Sequence, residues 1–83
     1  MSFWKEGDPA TVETDRMGLP TCFHWLGQSH PVQEISNVWR VDDAWWKGRV
    51  WRDHFKLITT TGLLVILSHD LTSDLWYITR LYD

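Results

Sequence analysis

The stretch Trp51-Arg52-Asp53-His54-Phe55-Lys56-Leu57-Ile58-Thr59-Thr60-Thr61-Gly62-Leu63-Leu64-Val65-Ile66-Leu67-Ser68 decides the fold. Its first half alternates. Phe55 and Leu57 fall on one face and Arg52, His54 and Lys56 on the other, as side chains of a strand must. Thr61-Gly62 reads as a tight turn. Leu63–Ser68 then runs apolar on both faces, the pattern of a central strand covered on both sides.

Working outward, short apolar stretches recur with turn signals between them. Cys22–Gly27 reads as a strand with Phe23 and Trp25 on one face, and Gly27–Pro31 as a turn. Val32–Val41 follows, with Ile35, Trp39 and Val41 as core positions. The spacing from Val32 to Ile35 breaks alternation and predicts a bulge. Asp42-Asp43-Ala44 is turn-like, and so is Asp70–Asp74. Leu75–Tyr82 is the last strand, with Trp76 and Ile78 sharing a face. The pattern predicts an all-β domain over 21–83: a small five-stranded antiparallel SH3-like barrel or roll. One short helix has room at Ile35–Arg40 or Asp43–Lys47. Residues 1–20, broken by Gly7, Pro9, Gly18 and Pro20, read as a flexible N-terminal arm that can be removed.

At 83 residues the chain has room for one domain with a modest core. Seven tryptophans are the means to fill it, since indole buries a large area and brings an N–H that wants a partner. In the pair Trp45-Trp46, neighbours on a strand point to opposite faces, so one of the two faces outward. A single cysteine, Cys22, excludes an internal disulfide framework and points to reducing, cytoplasmic surroundings. The first twenty residues have no apolar leader segment. The longest apolar run, Leu63–Leu67, is too short for a membrane helix, so no membrane partner is expected. The net charge of −3 is unlike that of a strong duplex-DNA binder.

Catalytic signals are weak. Cys22 and His24 lie two apart on one strand face, and such a pair can form a reactive thiolate; a thiol enzyme is therefore one reading. A buried structural cysteine is the plainer one. The four histidines and Cys22 show no metal-ligand spacing, and the glycines form no phosphate loop. Neither a metal nor another cofactor is expected.

Interaction chemistry is richer. Arg40, Lys47, Arg49, Arg52, Lys56 and Arg80 interleave with Trp39, Trp45, Trp46 and Trp51. Guanidinium beside indole suits stacking and phosphate contact, and the same stems can instead cover tryptophan faces. Trp46, Lys47, Arg49, Arg52 and Arg80 are the candidate binding residues.

The run Phe23-x-Trp25-x-Gly27-x-x-His30-x-Val32-x-x-Ile35-x-x-x-Trp39, then Trp45-Trp46, Arg52–Leu57, Gly62-Leu63-Leu64 and Trp76-x-Ile78-x-Arg80-Leu81-Tyr82-Asp83 resembles a small bacterial domain family, DUF6504. The resemblance covers residues 20–83. A similar segment ends ImuB-like relatives of Y-family translesion polymerases. The resemblance implies a DNA-repair or translesion-synthesis setting and brings no catalytic residue with it. Members are often arginine-rich, whereas this chain carries Gln28, Glu34 and Thr79 at such positions. That difference favours a non-enzymatic interaction module docking to protein, such as a repair polymerase assembly. Weak single-stranded nucleic-acid binding and a homodimer are the other partner readings.

Overall fold

Six strands follow one another: β1 (Ser2–Thr14), β2 (Pro20–Trp25), β3 (Gln28–Trp45), β4 (Gly48–Thr59), β5 (Leu64–Asp70) and β6 (Leu75–Tyr82). They belong to a computed structural model that describes residues 2–45 and 48–82, with side chains for 7–42 and 51–82. Each strand pairs antiparallel with the next, and β6 returns to β1, so the meander closes into a barrel. The expected all-β barrel is present, with six strands instead of five. Among the described residues there is no helix: Ile35–Arg40 and Asp43–Trp45 both lie within β3.

The sixth strand is the segment expected as a flexible arm. β1 pairs with β6 through Ser2–Ala10 and with β2 through Thr11–Thr14. Gly7 and Pro9 break the strand pattern in the sequence, and the structure shows why a strand survives. The register shifts between Phe3 and Asp8, and Gly7 sits there at φ +94. A Cβ on Gly7 would lie 2.6 Å from Tyr77 Cβ. The glycine lets the two strands approach closely at an irregularity.

β3 also serves two partners. Gln28–Pro31 pair with β2, and Val32–Trp45 with β4. The expected irregularity near Val32–Ile35 is real: the register shifts between Val32 and Glu34, and again between Ile35 and Asn37. Asp42, Asp43 and Ala44 are not a turn; they pair with Trp51, Val50 and Arg49. The β2–β3 connection is the two-residue turn Leu26-Gly27, with φ +52 and +76, the double positive φ of a type I′ hairpin. Leu26 is a poor residue for it, because its Cβ crowds the left-handed conformation. Aspartates hold two other turns. Asp15 Oδ1 accepts from the amides of Met17 and Leu19, and Asp70 Oδ1 from those of Thr72 and Ser73.

Phe23, Phe55, Leu57, Val65, Leu67 and Ile78 fill the barrel. Phe55 and Leu57 are inward as the alternation required, and Trp76 packs against this core beside Ile78. Leu64 and Ile66 of the central strand are half-buried on the outer face. The tryptophans whose side chains are described do not form the centre. Trp25, Trp51 and Trp76 are half-buried, and Trp39, expected as core, is exposed. The interior of a barrel this small admits Phe, Leu, Ile and Val side chains. Indoles sit at its rim and outside, each against a polar neighbour. Trp25 Nε1 donates to Asp8 Oδ2 at 2.6 Å. Trp76 stacks on His69 with ring centroids 4.2 Å apart, Trp39 stacks on His54 at 5.3 Å, and Arg40 lies over Trp51.

Candidate functional site

Two regions carry interaction chemistry: the outer face of β4–β5–β6 and the part of the β3–β4 hairpin that runs past it. The outer face follows from strand alternation. Arg52, His54 and Lys56 point outward from β4, opposite Phe55 and Leu57. Their partners on β5 are Asp70, Ser68 and Ile66, and on β6 Leu75, Tyr77 and Arg80. Arg52 lies over the Tyr77 ring, and Lys56 and Arg80 lie over that of Tyr82. Arg80 also donates to Tyr82 Oη at 3.0 Å, and Arg52 approaches Asp70 at 3.8 Å. The cations expected beside tryptophan here lie with their head groups over tyrosine rings.

Two of the five candidate binding residues, Arg52 and Arg80, are thus brought onto one face, separated by the His54–Ser68–Tyr77 row. Arg49 lies in β4 opposite Ala44, and nothing is described of its side chain. Trp46 and Lys47 lie outside the described residues.

Beneath the outer face, Ser68 Oγ lies 2.6 Å from His54 Nδ1 and donates to Thr79 Oγ1 at 3.4 Å. A serine against a histidine has the parts of a nucleophile and its base. Ser68, however, is fully buried, so no substrate reaches it, and the trio serves to satisfy buried hydroxyls. Burial, then the charge of Arg52, pushes His54 below its ordinary range despite Asp53. A shallow groove of about 270 Å³ opens beside it, lined by Trp39, His54, Ile66, Thr79 and Arg80.

The hairpin beyond the barrel has a different character. β5 begins to pair with β4 at Arg52, and the Leu71 amide just after β5 donates to the Trp51 carbonyl, so among the described residues Gly48–Val50 pair with β3 alone. From Asn37 to Trp45 the β3–β4 register is unbroken, and on its other edge this part of β3 pairs with no strand among the described residues. Both faces of the strand are open here. Ser36, Asn37, Val38, Trp39 and Arg40 are all exposed, Val38 by 49%. Arg40 braces the stem by donating to both carboxylate oxygens of Asp53, at 2.6 and 3.1 Å, and it holds the Asp53 carboxyl below the ordinary range. The sequence signals core at Trp39 because a strand pattern does not reveal where the neighbouring strand stops.

Cys22 and His24 do share the outer face of β2. His24 is already engaged, with Nε2 2.9 Å from Glu13 Oε2 and Nδ1 2.9 Å from Ser29 Oγ. Partial burial, then the charge of Glu13, pushes the Cys22 thiol up. That direction is opposite to what a nucleophilic thiolate needs.

Comparison with family models, curated proteins and solved structures finds no match. The function is therefore argued from the geometry of the chain itself.

Proposed function

We propose that this chain is a non-enzymatic protein-docking module that captures an extended segment of its partner along the free edge of β3. The observation that carries this reading is the regular, solvent-facing edge beginning at Asn37. An open edge offers a row of backbone donors and acceptors, and natural sheets block such edges with bulges, charge or covering elements. Here the bulges stop before Asn37, and exposed Val38 and Trp39 lie just beyond them. Main-chain bonds to an added strand supply affinity, and side-chain contacts on alternate positions supply specificity. Val38 and Trp39, on opposite faces, serve the second purpose.

The resemblance to DUF6504 supplies a setting, a DNA-repair polymerase assembly. A reducing, cytoplasmic compartment fits the lone Cys22, and no helix among the described residues is long and apolar enough to cross a membrane.

The test is a photo-crosslinking residue placed at position 38 of the full chain in its source cells. A discrete protein adduct that survives nuclease, and is absent with the same probe at Thr72, supports docking. An adduct with nucleic acid, or equal labelling from both positions, overturns it. Light scattering separates a second copy as the occupant, because pairing of two β3 edges doubles the mass and Val38→Lys restores the monomer.

Single-stranded nucleic acid is the second reading, favoured by exposed Trp39 sharing a groove with Arg80. It requires binding of a labelled oligonucleotide at low salt that weakens as salt rises. Trp39→Ala and Arg80→Ala should each reduce that binding.

A further inference from the structure

A second surface lies on the outer face of β1 and β2, away from the β3 edge. Glu13 and Cys22 are direct cross-strand partners, and His24 lies two residues further along β2 on the same face. A carboxylate oxygen, a thiol sulfur and an imidazole nitrogen of these residues lie within 4.8 Å of one another. Ser29, opposite His24 on β3, holds Nδ1 at 2.9 Å and turns Nε2 toward Glu13. The Cys22 thiol makes a long contact of 4.0 Å with the Phe23 carbonyl and also interacts with the Glu13 carboxylate and the His30 backbone.

We propose that Glu13, Cys22 and His24 form a surface binding site for a divalent transition metal of the zinc type, with water in the fourth position. The donor set is the argument. Thiolate, imidazole and carboxylate are the three side-chain ligands zinc takes, and three protein ligands leave one tetrahedral place open. Bond lengths of about 2.0–2.3 Å put tetrahedral ligand atoms roughly 3.3–3.8 Å apart. His24 Nε2 and Glu13 Oε2, 2.9 Å apart, already lie inside that spacing, and the widest pair, within 4.8 Å, must close by no more than about 1.5 Å. Glu13, whose side chain is 63% exposed, is free to make that adjustment. On metal binding His24 takes the Nδ1–H tautomer, in which the Ser29 hydroxyl accepts the Nδ1–H and the Nε2 lone pair goes to the metal, the orienting contact typical of metal-bound histidine. On binding, the Cys22 sulfur loses its proton to solvent and forms the metal–sulfur bond, while Glu13 and neutral His24 each donate an electron pair. A search by chain spacing misses this set because β1 contributes one ligand and β2 the other two.

The experiment is a cobalt(II) titration of the full, untagged chain, first stripped of metal, followed by displacement with zinc. Because Cys22 is the only cysteine, a thiolate-to-cobalt charge-transfer band in the near ultraviolet reports on this site alone. The band should appear at one equivalent, vanish when zinc is added, and be absent in Cys22→Ser. His24→Ala should weaken cobalt affinity at least tenfold. Ser29→Ala, which removes only the orienting hydroxyl, should weaken it about 10- to 100-fold. All these side chains point outward, and an unchanged far-ultraviolet dichroism spectrum and melting temperature without metal verifies that each variant folds. No charge-transfer band in the folded wild-type chain overturns the site. So does a band whose affinity is indifferent to His24→Ala.

Discussion

The barrel body and the β3–β4 stem are built from the same two strands, yet they are held in different ways. In the body, β4 has partners on both sides and turns Phe55 and Leu57 into a filled interior. Only at the far end of the stem, Asp43–Trp45 against Gly48–Val50, do the strands have only each other among the described residues. Nearer the body β5 still backs β4, and surface contacts join the two strands: Arg40 on Asp53, Arg40 over Trp51, Trp39 on His54. A two-stranded ribbon is marginal in water by itself. The stem persists because its register is inherited from the body. The difference teaches that alternation marks a strand, whereas burial depends on what lies across from it.

The largest expected effect comes from breaking the body at its closure. A chain starting at Leu19 lacks β1, and with it one of the two partners of β6 and one of the two partners of β2. It should lose cooperative thermal unfolding altogether. A sharp melting transition in that fragment would mean that β1 is dispensable and that the arm reading was right.

Next comes a direct contrast of the two regions. Leu67→Ala, at a fully buried position, should destabilise by about 2–5 kcal/mol in denaturant unfolding. Val38→Ala, on the open edge of β3 beside Phe55, should change stability by less than about 0.5 kcal/mol. Comparable losses at the two sites would show that the stem is packed against something and that its edge is covered.

A smaller effect is set by pH at the junction of the two regions. His54 is held below its ordinary range in the fold, whereas in the unfolded chain it takes up a proton near pH 6.5. Across that window the unfolded state binds more protons. The stability contributed by neutral His54 is full above about pH 6.5 and is lost as pH falls toward the folded value. Chemical denaturation at several pH values should show this decline, and His54→Gln should flatten it. Asp53, lowered chiefly by Arg40, adds a second loss only at more acidic pH, below about 4.

The smallest expected change is a gain. Leu26 occupies a positive-φ position and is 76% exposed. Leu26→Asn should stabilise the body by about 0.5–1 kcal/mol, because asparagine tolerates the left-handed conformation that this turn requires. A raised melting temperature checks it, and a lowered one would show that the exposed leucine is held by a contact in the adjoining groove.

What the sequence determined by itself was local. Alternation in Trp51–Thr60 set which side chains of β4 face inward, the run Leu63–Ser68 marked a strand, β5, though not one covered on both faces, and the break after Val32 marked a bulge. Period-two patterning is a property of the backbone and is visible wherever one face is buried. Arg52 and Arg80 were legible as surface cations for the same reason. The tertiary structure alone decided three other things. It made a strand of residues 2–14, because Gly7, with no Cβ, lets β1 pass close to Tyr77 at the register shift. It placed Trp25, Trp39, Trp51 and Trp76 around the filled centre and not in it, where the Trp25 N–H and the ring faces of the other three meet polar neighbours. It also brought Glu13 to Cys22 and His24 and left β3 open beyond Ser36, since proximity and missing neighbours are relations between strands, and no single stretch of chain encodes them.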